Sequence, residues 1–293
     1  MGHAIARPVV KWAGGKRSLV DQLRPWMPAK FETYAEPFCG GAAVFFALAS
    51  ESTRPFRRAI LSDKNEDLIA CYRAIKATPG AIIRRLKEYQ DKHYALSATK
   101  QQEHYYSVRD LHGLEDDVER GARLIFLNRT CFNGLWRVNA SGRFNVPFGR
   151  YAKPKILDED AIQAAHVALA RAELRTDDFA DVARWLSPRD FVYFDPPYVP
   201  VSRTANFTAY SDPFGPKEQE RLVGVLRDLK KRRVRALLSN TYSDETRKLY
   251  DGFHQETVTM RRAINSDVKK RGEVRELVVM TYPPATAKKK KAS

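Results

Sequence analysis

TYAEPFCGGAAVFFALAS, Thr33 to Ser50, changes character at a pair of glycines. Thr33 to Phe38 reads as a strand end and Gly41 to Ser50 as a helix. The pattern then repeats, with Arg58 to Ser62 as a second strand and Glu66 to Ala77 as a second helix. This is a βαβ beginning, the unit of an α/β fold with parallel strands. From about Pro79 to Glu119 the chain turns helical and polar, as in AIIRRLKEYQ and HYYSVRDL, and no strand of clear period is found, so the sheet is interrupted. After Asp158 the alternation returns. A helix through the 160s, the strand AELRT, a helix to Leu186, the strand DFVYFD, a helix from Lys217 to Lys230 and the strand VRALLSN follow. A final strand pair is expected near His254 to Arg262 and Arg275 to Tyr282. An α/β domain is therefore split by an inserted helical and basic module.

Composition bounds the rest. The chain has 293 residues and a formal charge of +16, with 43% hydrophobic and 11% aromatic residues. That is enough apolar material for a real core and excludes disorder for most of the length. The three cysteines, Cys39, Cys71 and Cys131, are far apart and lack C-x-x-C spacing, which argues against a disulfide framework, structural zinc or any metal site. The opening MGHAIARPVVKWAGG has no secretory pattern, and no stretch approaches the ~18 apolar residues of a membrane span. A cytoplasmic protein is expected, with no membrane partner. The positive surplus favours a polyanion, because each Lys or Arg that neutralises a phosphate releases counterions.

Chemistry is suggested first by FVYFDPPY at Phe191 to Tyr198, an apolar strand that ends in a carboxylate, two prolines and an aromatic. Ligand groups in open α/β sheets collect at C-terminal strand ends. The prolines remove two backbone donors and stiffen the turn, leaving carbonyls outward. Asp195 and the Pro196 carbonyl can then accept from one NH2 group while Tyr198 offers a face to a flat ring. AEPFCGG at Ala35 to Gly41 lets backbone approach a ligand, and Asp63 lies about twenty residues further on, where an acidic side chain reaches ribose hydroxyls. Together they suggest an adenosine-containing cofactor. Neither G-x-G-x-x-G nor the Walker pattern is present, which disfavours nicotinamide cofactors and ATP. VKWAGGKR at Val10 to Arg17 could bind an anion or carboxylate, or merely start a helix. Between Asn128 and Lys155 lie six basic residues and no acidic one, threaded with Phe132, Trp136, Phe144, Phe148 and Tyr151. This suits a loop and hairpin that track phosphates and touch bases, or equally a solvated hairpin with aromatics in the core.

The motifs in this order resemble the Dam-type, D12 class DNA adenine methyltransferases. They are KWAGGK (Lys11 to Lys16), EPFCGG (Glu36 to Gly41), DKNEDLI (Asp63 to Ile69), LNRTCFNGLWRVN (Leu127 to Asn139), FNVPFGRY (Phe144 to Tyr151), DPPY, and NFTAY at Asn206 to Tyr210. The resemblance implies a Rossmann-like S-adenosylmethionine-dependent methyltransferase sheet. Residues 1–72 and 156–285 would form the catalytic domain, 73–155 a mainly helical target-recognition insert with a β-hairpin, and 286–293 a disordered basic tail. It implies transfer of a methyl group from S-adenosylmethionine to adenine N6 in double-stranded DNA, within GATC, by base flipping. It assigns the cofactor to Trp12, Lys16, Glu36, Phe38, Asp63 and Asp195, and catalysis to Asp195, Pro196, Pro197 and Tyr198. It assigns DNA to Lys11, Arg129, Phe132, Asn133, Leu135, Arg137, Asn139, Arg143, Pro147 and Arg150. Phe132 and Asn133 would fill the gap left by the flipped base. Leu135, Arg137, Pro147 and Lys11 would touch neighbouring bases, and Arg129, Arg143, Arg150 and Lys153 would position phosphates. Trp136 stands where the family usually has a small residue, and Phe132 where it has tyrosine. A monomer near the nucleoid of a prokaryote or phage is expected. The DPPY geometry also serves the exocyclic amine of cytosine. A silent DNA-binding module is the alternative from another class, though no binding role needs Asp195, Pro196 and Tyr198 together.

Overall fold

A computed structural model describes residues 5–12, 16, 19–197, 214–261 and 273–284. A four-residue helix, α1 (Val20–Leu23), precedes β1 (Thr33–Glu36). Then come α2 (Ala43–Ala49), β2 (Arg58–Ser62) and α3 (Glu66–Ala77). The next helices are α4 (Pro79–Ala95), α5 (Ala98–Arg109) and α6 (Asp117–Thr130), with an irregular segment behind them. The sheet resumes with α7 (Glu159–Leu169), β3 (Ala172–Arg175), α8 (Phe179–Arg184) and β4 (Phe191–Phe194). It closes with α9 (Pro216–Lys231), β5 (Arg235–Thr241), α10 (Asp244–Leu249), β6 (His254–Arg261) and β7 (Glu273–Met280).

The seven strands lie in the order β3-β2-β1-β4-β5-β7-β6. The first five are parallel, while β7 runs antiparallel to both β5 and β6. The wiring runs outward from β1 through β2 to β3, then restarts on its other side at β4. Such a reversal opens a crevice beyond the carboxyl ends of β1 and β4, the position that open α/β sheets use for ligands.

Alternate residues of the buried strands face opposite layers, as the pleat requires. Tyr34, Phe191 and Tyr193 join a core with α2, α3, α6 and α7. Ala35, Val192 and Phe194 pack with Phe179, Leu222 and Leu226 of α8 and α9 on the other face. Helices α4 to α6 have no core of their own, because Ile82, Leu86, Tyr105 and Leu124 belong to the first cluster. The junction expected between residues 72 and 73 lies inside α3, whose apolar face spans Leu68 to Ile75. Asn65 starts that helix, its side chain accepting from the Leu68 N–H at 3.1 Å, a cap worth about 1 kcal/mol. Asp116 does the same for α6, taking the Val118 and Glu119 N–H groups.

Among the described residues no helix is long and apolar enough to cross a membrane, and no group of three or more His, Cys, Asp or Glu is arranged to hold a metal ion. All three cysteines are buried and unpaired with one another. The basic tail, Tyr198, the NFTAY motif and the two glycines of KWAGGK lie outside the described residues.

Candidate active site

Three adjacent strands deliver a carboxylate each to the crevice. Glu36 ends β1, Asp63 follows β2 and Asp195 follows β4. Lys16, only 3% exposed, places its Nζ 2.8 Å from Asp195 Oδ1 and 3.9 Å from Oε1 of Glu276 on β7. The Glu36 carboxyl is raised to about 8, with burial the largest cause. The Tyr34 hydroxyl and Phe45 N–H, both donating to Oε2 (2.8 and 3.2 Å), pull it down, while the nearby Asp195 and Asp63 carboxylates push it further up. Burial also raises Asp63, against the N–H groups of Asn65 and Gly40 at 2.9 and 3.0 Å. Asp195 is raised by burial as well, and Lys16 opposes that rise. The site therefore gathers carboxyl groups that are costly to ionise, and a cation beside them lowers that cost.

The β1–α2 loop is shaped by Trp12. Gly40 has φ +45°, and a Cβ there would lie 2.6 Å from Trp12 Cδ1, so the indole lies directly against glycine backbone. The Tyr72 hydroxyl donates to the Gly40 carbonyl at 2.7 Å and Ala42 carries φ +52° at the start of α2. Phe38 packs on Phe179, with ring centroids 5.3 Å apart, and meets Phe214 edge-on. In the DPP turn Pro196 is buried and Pro197 half-buried.

The basic segment departs from a regular hairpin. Asn128 to Thr130 still belong to α6, and beyond them only two isolated antiparallel bridges form, Val138 with Phe144 and Cys131 with Phe148. Asn128 is fully buried and stitches the segment to the amino-terminal strap. Its Oδ1 accepts from the Lys11 N–H at 2.7 Å, and its Nδ2 donates to the carbonyls of Lys11 (2.7 Å) and Gly134 (3.0 Å). Trp12 stacks on Trp136 with centroids 6.1 Å apart at 22°, and Trp136 leans on Phe144 at 4.7 Å. The amino-terminal strap and the basic segment thus share an aromatic contact, which sequence spacing did not reveal.

The expected DNA residues divide by their surroundings. Phe132 is 51% exposed, and its neighbour Asn133 is exposed with φ +56°. Pro147, Arg143 and Arg150 are exposed, and Arg150 carries φ +53°. Asparagine tolerates left-handed backbone, but at Arg150 it costs energy, a strain that recurs where ligands are clamped. Lys11 is exposed, its Nζ 5.3 Å from the Tyr151 ring centre, while Leu135 is half-buried. Arg137 donates from Nε to Asn145 Oδ1 at 2.7 Å, which fixes the plane of its guanidinium. Two residues have structural partners instead of an outward aim. Asn139 closes the turn, its Oδ1 accepting from the backbone N–H of Ser141 and of Arg143. Arg129 donates from Nη2 to the Val9 carbonyl at 2.7 Å, and burial lowers its basicity. Sitting in the last turn of α6 beside buried Asn128, it could have been suspected from helical phase alone.

A parallel sheet rewired between its two central strands, closed by an antiparallel pair and carrying acidic groups at the switch, defines a Rossmann-like methyltransferase fold. The chain belongs to the D12 class N6 adenine-specific DNA methyltransferases, whose family model matches residues 12–264. It is 40% identical over 288 residues to the type II methyltransferase M.MjaIII of Methanocaldococcus jannaschii, covering 94% of this chain and 99% of that one. It is 36% identical to the type II methyltransferase M1.LlaDCHI of Lactococcus lactis subsp. cremoris, with coverages of 94% and 95%. It is 34% identical to the DNA adenine methylase of Escherichia coli K12, over 97% of this chain and 99% of that protein. The family and fold imply S-adenosylmethionine as the methyl donor.

Proposed function

We propose that this enzyme methylates adenine N6 within GATC in double-stranded DNA, drawing the target base out of the duplex into the crevice beside the DPP turn. The observation that carries the reading is the carboxylate cluster at the strand switch, with Asp195 held on Lys16 directly before two prolines. The donor set fits S-adenosylmethionine. Burial makes the ionised forms of Glu36, Asp63 and Asp195 costly, and a ligand bearing a sulfonium and an ammonium favours their ionisation. When bound, that cofactor supplies an electrophilic methyl group.

This chain's own residues then do the following. Trp12 and Phe38 wall the pocket, and Asp63 holds the ribose hydroxyls. Asp195 and the Pro196 carbonyl accept the two amine hydrogens, turning the nitrogen lone pair toward the methyl group, and Tyr198 stacks on the ring. As the nitrogen gains positive charge, Asp195 stabilises it, and a carboxyl raised by burial is a better proton acceptor than an exposed one. The adenine amine is out of reach inside a duplex, so flipping it costs a few kcal/mol. Phe132 and Asn133 refill the gap, supported by their exposure. Arg137 reads a guanine beside Leu135, Pro147 and Lys11, while Arg143, Arg150 and Lys153 lie along phosphates. On this reading residues 73–155 serve target recognition.

The test is incubation with labelled S-adenosylmethionine and genomic DNA free of adenine methylation, followed by nucleoside analysis and mapping. Methyladenine confined to GATC is the expected result. Methyladenine at another motif overturns the target sequence alone, and methylcytosine or no transfer overturns the proposal.

A further inference from the structure

The DPP turn raises a problem of its own. Pro196 and Pro197 have no N–H, so at these two positions the turn cannot anchor itself by donating, and its carbonyls are the remaining points of attachment. One of them is gripped from outside. Gln219, in the first turn of α9 and 2% exposed, has its Nε2 3.4 Å from the Pro197 carbonyl. The orientation of that amide is determined by its neighbours. Thr241 donates its backbone N–H to Asn240 Oδ1 at 2.8 Å, which turns Asn240 Nδ2 toward Gln219. Gln219 Oε1 then accepts from Asn240 Nδ2 at 3.2 Å and from the Tyr250 hydroxyl at 3.1 Å. With two donors on the oxygen, the NH2 group faces the turn. Asn240 and Tyr250 are fully buried, so the arrangement has no competition from water.

Three elements thus converge on a single carbonyl: α9, the end of β5, and the residue after α10. We propose that Gln219 is the positioning residue of the DPP turn. Its amide holds the Pro197 carbonyl, which sets the direction of the Pro196 carbonyl and of Asp195 and leaves both for the target amine. The inference rests on the amine-holding role assigned to those groups above.

Gln219→Glu isolates the clamp. It keeps an oxygen for Asn240 and Tyr250 but replaces the donor by an acceptor facing the Pro197 carbonyl, and protonation of the buried carboxyl restores a donor. At pH 8.5 its kcat is expected to fall by about 10²-fold, the cost of an ångström-scale misplacement, with KM for S-adenosylmethionine and duplex affinity within about two-fold. Relative to wild type at the same pH, kcat per folded molecule should recover as pH drops toward 6; the folded fraction is measured at each pH and divided out, because an ionised buried carboxyl also costs stability. Tyr250→Phe, which keeps the shape and removes one donor to Oε1, should show a smaller kcat loss. Leu226→Ala on the same helix serves as the control, lowering Tm without lowering kcat per folded molecule. Should Gln219→Glu keep kcat per folded molecule within two-fold of wild type at pH 8.5, or lose it with no recovery at lower pH, the clamp is wrong. Wild-type protein that transfers no methyl group to DNA would instead overturn the function above.

Discussion

Asp190 and Asp195 stand five positions apart at opposite ends of β4, and the fold treats them in opposite ways. At the amino-terminal edge Asp190 is buried, yet its Oδ1 accepts the Thr33 N–H at 2.9 Å and its Oδ2 accepts the N–H and hydroxyl of Ser187, both at 2.7 Å. Burial pushes its carboxyl up, but these bonds outweigh it and hold the group below the ordinary range. At the carboxyl edge burial prevails over Lys16, and Asp195 is raised. Depth does not separate a structural acid from one kept for a ligand. The count of donors committed within the protein does.

Four measurements press on that contrast. The largest effect is expected at the open end: Asp195→Ala should lower kcat on the order of 10³-fold, while duplex binding survives. Near-normal turnover would remove its role. At the closed end Asp190→Ala strands the Thr33 and Ser187 N–H groups and should cost about 2–4 kcal/mol, read by denaturant unfolding, with kcat per folded molecule retained. If the Asp190 variant loses activity without losing stability, the two ends are not distinct.

The third measurement is a pH series without cofactor. Glu36 titrates near 4.5 unfolded and about 8 folded, so the unfolded state holds fewer protons between those values. Stability is then fully present below pH 4.5 and falls as pH rises through 8, by up to ~1.4 kcal/mol per pH unit from this group. Glu36→Gln should flatten that slope, and an unchanged slope would place its origin elsewhere. The smallest effect extends the contrast to the basic segment, where Asn145 holds Arg137 by one edge. Arg137→Ala should relax discrimination at one base pair by about 1–3 kcal/mol. A uniform loss across all sequences would make it a phosphate contact.

Much of the fold was legible because periodicity is local. The strand at Arg58–Ser62, the helix at Glu66–Ala77 and the closing pair His254–Arg261 and Glu273–Met280 lie within two residues of where apolar pattern places them. So was the gathering of Glu36, Asp63 and Asp195, since each ends or follows a strand and parallel strands bring such ends together. What stayed hidden depends on partners far apart in the chain. Arg129 reads as one more cation until Val9, 120 residues away, takes its proton donor. Asn128 reads as helix and proves to be the stitch to Lys11. The boundary expected after residue 72 falls within α3, which continues through it and shares its core with α6. Gln219 and Asn240 carried one faint signal, polar residues on otherwise apolar faces, and nothing in their spacing links them to Pro197.

The stacked pair of Trp12 and Trp136 has an optical consequence. Two of the four tryptophans sit 6.1 Å apart and nearly parallel, one against the glycines before α2 and the other in the basic segment. At that separation their strong ultraviolet transitions are expected to couple, so far-ultraviolet circular dichroism of the unlabelled enzyme should carry a paired band that weakens when either indole is displaced. The molecule carries its own spectroscopic gauge of the distance between its two working regions.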